Sequence, residues 1–241
     1  MFGEHMTSAR KILLIACALA AAAVVMMILA GPSIQRSFFY PKPRGLPPVV
    51  NETTEQLLGH LQVMLETSAP IVARSLQPGL SDTQISELET KAGFRLSGDL
   101  RALYQWHNGM PTNTTVGLLS GQRFLPLEEV VAERALMRQQ SSAAFGIFAG
   151  HRKNWLHVLD DGAGDGYFYD PERSDAQGAF FFHFAEVGHY VWFPSLRNFL
   201  SGVIECYQTQ AVKVAVDGKS LDEDADRTEK IWSRLGKSRE S

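Results

Sequence analysis

Apolar residues recur at helical spacing through the first half of the chain and in short runs through the second. Thr53 and Gln56 form a capping box, and Leu57, Leu58, Leu61, Met64 and Leu65 then share one face of a helix. Pro70 interrupts that pattern, and Ile71 to Leu76 reads as a further short helix. Ser81 and Gln84 form a second capping box, followed by the stripe Ile85, Leu88 and Ala92 and a stop at Gly93. Ser97 or Asp99 opens another helix, on which Leu100, Leu103, Tyr104 and His107 share a face. Gly109 closes it, with Asn108 as the turn residue.

Beyond Gly109 the period changes. Val116 to Leu119 and Arg123 to Leu127 read as strands about a turn at Gly121. Glu128 to Arg138 reads as a helix with acidic residues in its first turn and arginines towards its end. Phe145 to Phe148, Trp155 to Leu159, Tyr167 to Tyr169, Phe180 to Phe184 and Tyr190 to Phe193 are further strands. Leu196, Phe199, Leu200 and Val203 then form one face of a helix opened by Ser195, and a last helix follows the acidic stretch Asp222 to Asp226. The expected class is α+β, a mainly antiparallel sheet packed with helices over 53–236 and a tail at 237–241.

The N-terminal part reads differently. Residues 1–11 are polar, and Ile12 to Ala30 carries no charge and no strong breaker. As a helix that run reaches roughly 28 Å, about the hydrocarbon thickness of a bilayer. It is long for a cleaved signal, so an uncleaved transmembrane anchor is expected. Leu14-Ile15-Ala16-Cys17 matches a lipobox in letters, but the apolar run continues well past the cysteine. Residues 31–52 hold five prolines and read as a semi-rigid spacer. The expectation is a single-pass protein of a bacterial inner membrane. Arg10 and Lys11 on one flank and Arg36, Lys42 and Arg44 on the other leave its orientation open.

The order and spacing of Leu76-x-Pro78-Gly79, Ile85-x-x-Leu88-Glu89, Gly93, Leu96, Asp99-Leu100, Leu103-Tyr104 and Asn108-Gly109 resemble the opening of the SUKH superfamily. Leu125-Pro126-Leu127 before a helix, the strand led by Trp155, the Gly/Asp hairpin, Asp170-Pro171 and the Ser195-Leu196, Phe199-Leu200 helix continue the likeness, which spans roughly Leu57 to Gly236. One departure is Leu96-Ser97 where the family has Leu-Pro, at a capping position. The resemblance implies a SUKH-like fold and a protein-binding role without catalysis. Relatives include bacterial immunity proteins that neutralise toxins and Smi/Knr-type regulators of cell-wall assembly. The implied partner is therefore a toxin or an envelope protein, with immunity as the leading role and scaffolding of envelope assembly as the alternative.

Composition changes this picture little. A formal net charge of −3 supplies no basic footprint for nucleic acid. Cys17 and Cys206 are too few for a disulfide framework. Counting from Asp161, the hairpin imitates a calcium loop with Asp165, Gly166 and Glu172 in place. Ala163 occupies a ligand position, however, and the flanks read as strands. No metal and no cofactor is expected, and no nucleophile elbow, phosphate loop or dinucleotide fingerprint is present. An envelope hydrolase using carboxylates such as Asp160 and Asp170, or a ligand sensor, are the readings from other classes. The candidate partner-contact residues are Asp160, Asp161, Asp165 and Asp170 with the aromatic residues Tyr167, Trp106 and Trp192.

Overall fold

Local capping rules account for the helical half. A computed structural model describes residues 50–140, 154–171, 179–184 and 188–238. Helix α1 (Thr54–Ser68) starts from the Thr53–Gln56 capping box and buries Leu57, Leu58, Leu61 and Leu65. Helix α2 (Pro70–Ser75) places Pro70 at its first position, where the missing N–H costs nothing. Helix α3 (Asp82–Ala92) begins at the Ser81–Gln84 box and ends on Gly93 in the left-handed region at φ 67°. Helix α4 (Gly98–Trp106) is capped by Ser97, whose hydroxyl accepts from the Leu100 N–H. The serine thus fills the capping role at the position where it departs from the family pattern.

Two details of this half differ from the periodicity. Helix α4 stops at Trp106, and His107 adopts extended backbone and bridges Pro78. Gly109, at φ 70°, lies two residues past the cap, in the connection to β1 rather than at the helix stop. On α3 the apolar stripe is thin: Ile85 is buried and Leu88 is half-buried, while Glu89 is buried at 8% exposure.

Strands β1 (Arg123–Phe124), β2 (Leu156–Asp160), β3 (Gly166–Asp170), β4 (Ala179–Phe184), β5 (Gly188–Phe193) and β8 (Lys237–Ser238) pair in that order, antiparallel throughout. Strand β1 is shorter than its apolar letters predict. Leu125 still donates to Val158, but Pro126 has no N–H to continue the ladder, and helix α5 (Leu127–Gln140) starts at once. Val116 to Leu119 is no strand. The segment closes on itself, with Leu118 donating to Gln122 and an isolated Leu119–Gln122 bridge. Strand β8 extends the ordered fold two residues past 236, and a small hairpin of β6 (Val212–Val214) and β7 (Leu221–Glu223) lies outside the main sheet. These three strands are too short and too polar to show as periodic runs.

One face of the sheet meets helix α6 (Leu196–Gln208), which also packs on α1 and on α7 (Ala225–Leu235). Tyr167, Phe180 and Phe193 surround Phe199 of α6 with ring centroids 4.4–5.5 Å apart. Gly202 lets α7 approach, because a Cβ there would sit 2.1 Å from the Trp232 ring. The opposite face carries a second aromatic group, with Phe168 stacked on His157 and Trp155 edge-on to Phe181. Core motif positions Leu100, Tyr104, Trp155, Leu196, Phe199 and Leu200 are all buried.

The expected anchor at 12–30, most of the spacer and the strand expected at Phe145 to Phe148 lie outside the described residues. Among the described residues, no helix is long and apolar enough to cross a membrane.

Candidate functional site

The β2–β3 hairpin is built by its own aspartates. Asp160 Oδ1 accepts from the Gly162 N–H at 3.0 Å, and Asp161 Oδ1 accepts from Ala163 at 2.8 Å and from Asp165 at 3.1 Å. Gly162 and Gly164 take positive φ values of 83° and 98° that this turn requires. Gly166 lets the strands close, since a Cβ there would stand 2.0 Å from the Leu159 carbonyl oxygen. The result is a rigid tip on which Asp161 is exposed and Asp160 and Asp165 are partly exposed. The second oxygen of Asp161 takes no part in the turn.

Tyr167 and Asp170 depart from the contact role expected of them. Tyr167 is 5% exposed, packs on Phe180, Phe182 and Phe199, and has its hydroxyl pKa raised mainly by burial. Strand alternation explains this: Tyr167 points to the face that meets α6, so it belongs to the core. Asp170 is 8% exposed at the far end of β3. Trp192 pairs through its backbone with Phe181 and Lys237; its side chain lies outside the description. The calcium-loop likeness has no helical flank, since strands β2 and β3 border it. Among the described residues, no group of three or more His, Cys, Asp or Glu could hold a metal ion.

Beneath the tip sits a buried histidine that sequence spacing does not reveal. His157 on β2 is 4% exposed and directs Nδ1 at the Glu133 carboxylate of α5, at 3.0 and 3.2 Å. Its Nε2 has no hydrogen-bond partner among the described residues and stands 3.9 Å from Asp160 Oδ1. The 24-residue separation of His157 and Glu133 gives no local signal in the letters.

Trp106 occupies another place. It is half-buried at the end of α4, donates to Gln62 Oε1 of α1 at 3.0 Å and meets the His107 ring edge-on. Trp106 serves as a brace between α1 and α4.

The motif residues near α3 and α4 form a clasp instead of a reactive group. The Asn108 side chain accepts from the Leu127 N–H at 2.9 Å and donates to Glu128 at 2.9 Å, capping α5. A Cβ at Gly109 would fall 2.4 Å from Pro126 N, and one at Gly79 would fall 1.8 Å from the Gln105 carbonyl oxygen. Glu89 accepts from the Leu96 N–H at 2.9 Å and from Arg101 at 3.1 Å. Arg101 also reaches Asp82 and Ser86, and the Asp82 hydrogen bond leads the contacts that raise its pKa. A cleft of about 360 Å³ beside Gly93, Phe94 and Arg95 borders this network, but its buried carboxylate is already engaged. Cys206 is buried, which pushes its thiol up to about 12 and makes it a packing residue.

A family model, that of the SMI1/KNR4 family (SUKH-1), matches residues 79–202, which is 124 of the 241 residues. The match starts at the glycine that admits the Gln105 carbonyl and ends at the one that admits Trp232. No curated protein matches the chain.

Proposed function

Because the chain belongs to the SMI1/KNR4 family (SUKH-1), which accommodates immunity proteins and cell-wall regulators, we propose that it is a non-catalytic protein-binding module that neutralises a toxin. The observation that carries this reading is the division of labour among polar groups. In the motif region Glu89, Asn108 and Arg101 are engaged in bracing the backbone. At the β2–β3 tip, Asp161 is exposed, with Asp160 and Asp165 beside it on a turn held rigid by its own hydrogen bonds. A preformed acidic tip favours a basic partner surface through association rate and orientation, with little ordering required on binding.

Membrane tethering is part of the same proposal. The charge-free run from Ile12 to Ala30 supports it, and holding the domain at a bilayer would place it on a toxin's route of entry. Envelope scaffolding is the second role open to the family, and the same acidic tip would serve it.

Growth rescue tests the proposal. Co-expression of the full chain with the toxin domain encoded beside its gene should restore growth, and Asp161→Asn with Asp165→Asn should reduce that protection. Failure to protect against any neighbouring toxin, with turnover of an envelope polymer by the purified chain, would overturn it.

A further inference from the structure

We infer that His157 is a positioning residue that couples the acidic β2–β3 tip to pH through Asp160. This inference adds regulation to the contact surface proposed above and rests on that reading only for its consequence in binding. The geometry is one-sided. Nδ1 of the ring meets both oxygens of Glu133, so the neutral ring donates there and leaves a bare lone pair at Nε2. That lone pair is buried, unpartnered among the described residues, and 3.9 Å from a carboxylate oxygen. Burying an acceptor beside an acceptor is unfavourable. A second proton on the ring changes the sign: Nε2–H becomes a donor facing Asp160, with Glu133 on the other side.

Closing that gap by about 1 Å would make an ordinary charge-assisted hydrogen bond. Asp160 Oδ1 also receives the Gly162 N–H, so drawing this oxygen inward acts directly on the turn. The ring has little freedom to respond otherwise. It stacks on Phe168 at 4.1 Å with an interplanar angle of 9°, and Gly166 sits against Nε2 so closely that a Cβ would be 2.5 Å away. Among the described residues, the charged or titratable groups packed around it include Glu133 on α5, Asp160 at the end of β2, His183 on β4 across the Phe168 ring, and Arg123 on β1, which is paired with Asp160 in the ladder and held by Glu129. Protonation therefore adds a positive charge under the tip and ties Asp160 towards it. Attraction for a basic partner is stronger with the ring neutral and weaker with it charged, and by linkage such a partner opposes uptake of the proton.

The test uses the full chain. In an NMR pH titration, the Gly162 amide should move with the same midpoint as the His157 ring. In His157→Phe, which keeps the stacked shape, that movement should vanish. Glu133→Gln lies at the partly exposed end of the contact and should move both midpoints together, so the coupling is readable even if the phenylalanine variant does not fold. A Gly162 amide that is flat through the His157 titration, or that keeps its own midpoint in Glu133→Gln, overturns the inference. A lysine-rich peptide serves as the binding probe. Its affinity should fall roughly two- to fivefold on acidification in the wild type and not in His157→Phe. If the peptide binds at no pH while Gly162 still follows His157, the coupling stands and the contact surface proposed for the tip fails.

Discussion

The clasp around Gly79, Asn108 and Gly109 and the tip of the β2–β3 hairpin are both turns rich in glycine and polar residues, yet they are built on opposite terms. In the clasp, glycines are required because neighbouring backbone lies within 1.8–2.4 Å of where a Cβ would be. Its polar side chains are held by buried or half-buried partners, as with Asn108 on Leu127 and Glu89 on Leu96. At the hairpin tip, Gly162 and Gly164 have open space around them and are required only for their positive φ. Its aspartates cap the turn and still present charge to solvent. The first arrangement fixes how elements pack, so it tolerates little change. The second fixes a turn and leaves Asp161 exposed at its tip, where its charge can meet a partner.

That contrast can be broken in steps. Leu103→Asp should have the largest effect, because Leu103 is 3% exposed and a buried unpaired carboxylate is strongly destabilising. Loss of the cooperative thermal transition is expected. Leu88→Asp on the neighbouring helix should only lower the melting temperature, since Leu88 is half-buried. Equal melts for the two would contradict the packing described. Gly109→Ala comes next, at roughly 3 kcal/mol, from positive φ combined with a backbone clash at Pro126. Gly164→Ala at the tip should fall clearly below that in chemical denaturation, because it meets strain in φ without a clash.

A smaller step is Glu89→Ala, which leaves the Leu96 N–H without its acceptor and removes one contact of Arg101. About 2 kcal/mol is expected in urea titration, with Glu89→Gln recovering part of it. The smallest is a pH effect at Asp217, whose carboxyl is held below its ordinary value chiefly by the Lys219 N–H, with Ser220 adding to it. A depressed folded-state pKa contributes stability that is present above the unfolded value and lost as pH falls through the folded one. The Lys219 amide should therefore lose protection from hydrogen exchange only on strong acidification, and in Asp217→Ala it should be unprotected throughout.

Much of the clasp was legible in the letters, because its signals are local. Both capping boxes, the Gly93 stop and the Ser97 and Ser195 caps depend on residues three apart, and all are present. What the letters concealed depends on distant pairing. Glu89 is a motif position in the letters, but its partners Leu96 and Arg101 appear only in the fold, and His157 reads as an ordinary strand residue until α5 delivers Glu133. Tyr167 lies beside an acidic loop, which suggests contact, whereas alternation along β3 turns it inward. Strand β1 was overestimated because apolar letters continue past Phe124 while Pro126 ends the hydrogen-bond ladder.

At the hairpin, only some substitutions separate charge from turn geometry. Lysine at Asp161 would remove the acceptor for Ala163 and Asp165 along with the charge, mixing stability with binding. Asparagine keeps one oxygen acceptor for the turn while removing the charge and replacing the outer oxygen with an NH2 donor. The decisive measurement is the affinity of Asp161→Asn with Asp165→Asn for a toxin found by the growth-rescue test, at low and high salt, beside a thermal melt. Weaker binding at low salt by about 0.5–1 kcal/mol, a difference that shrinks at high salt, and an unchanged melt are expected. Unchanged affinity at low salt with an unchanged melt would contradict the assignment of the acidic tip as the contact surface.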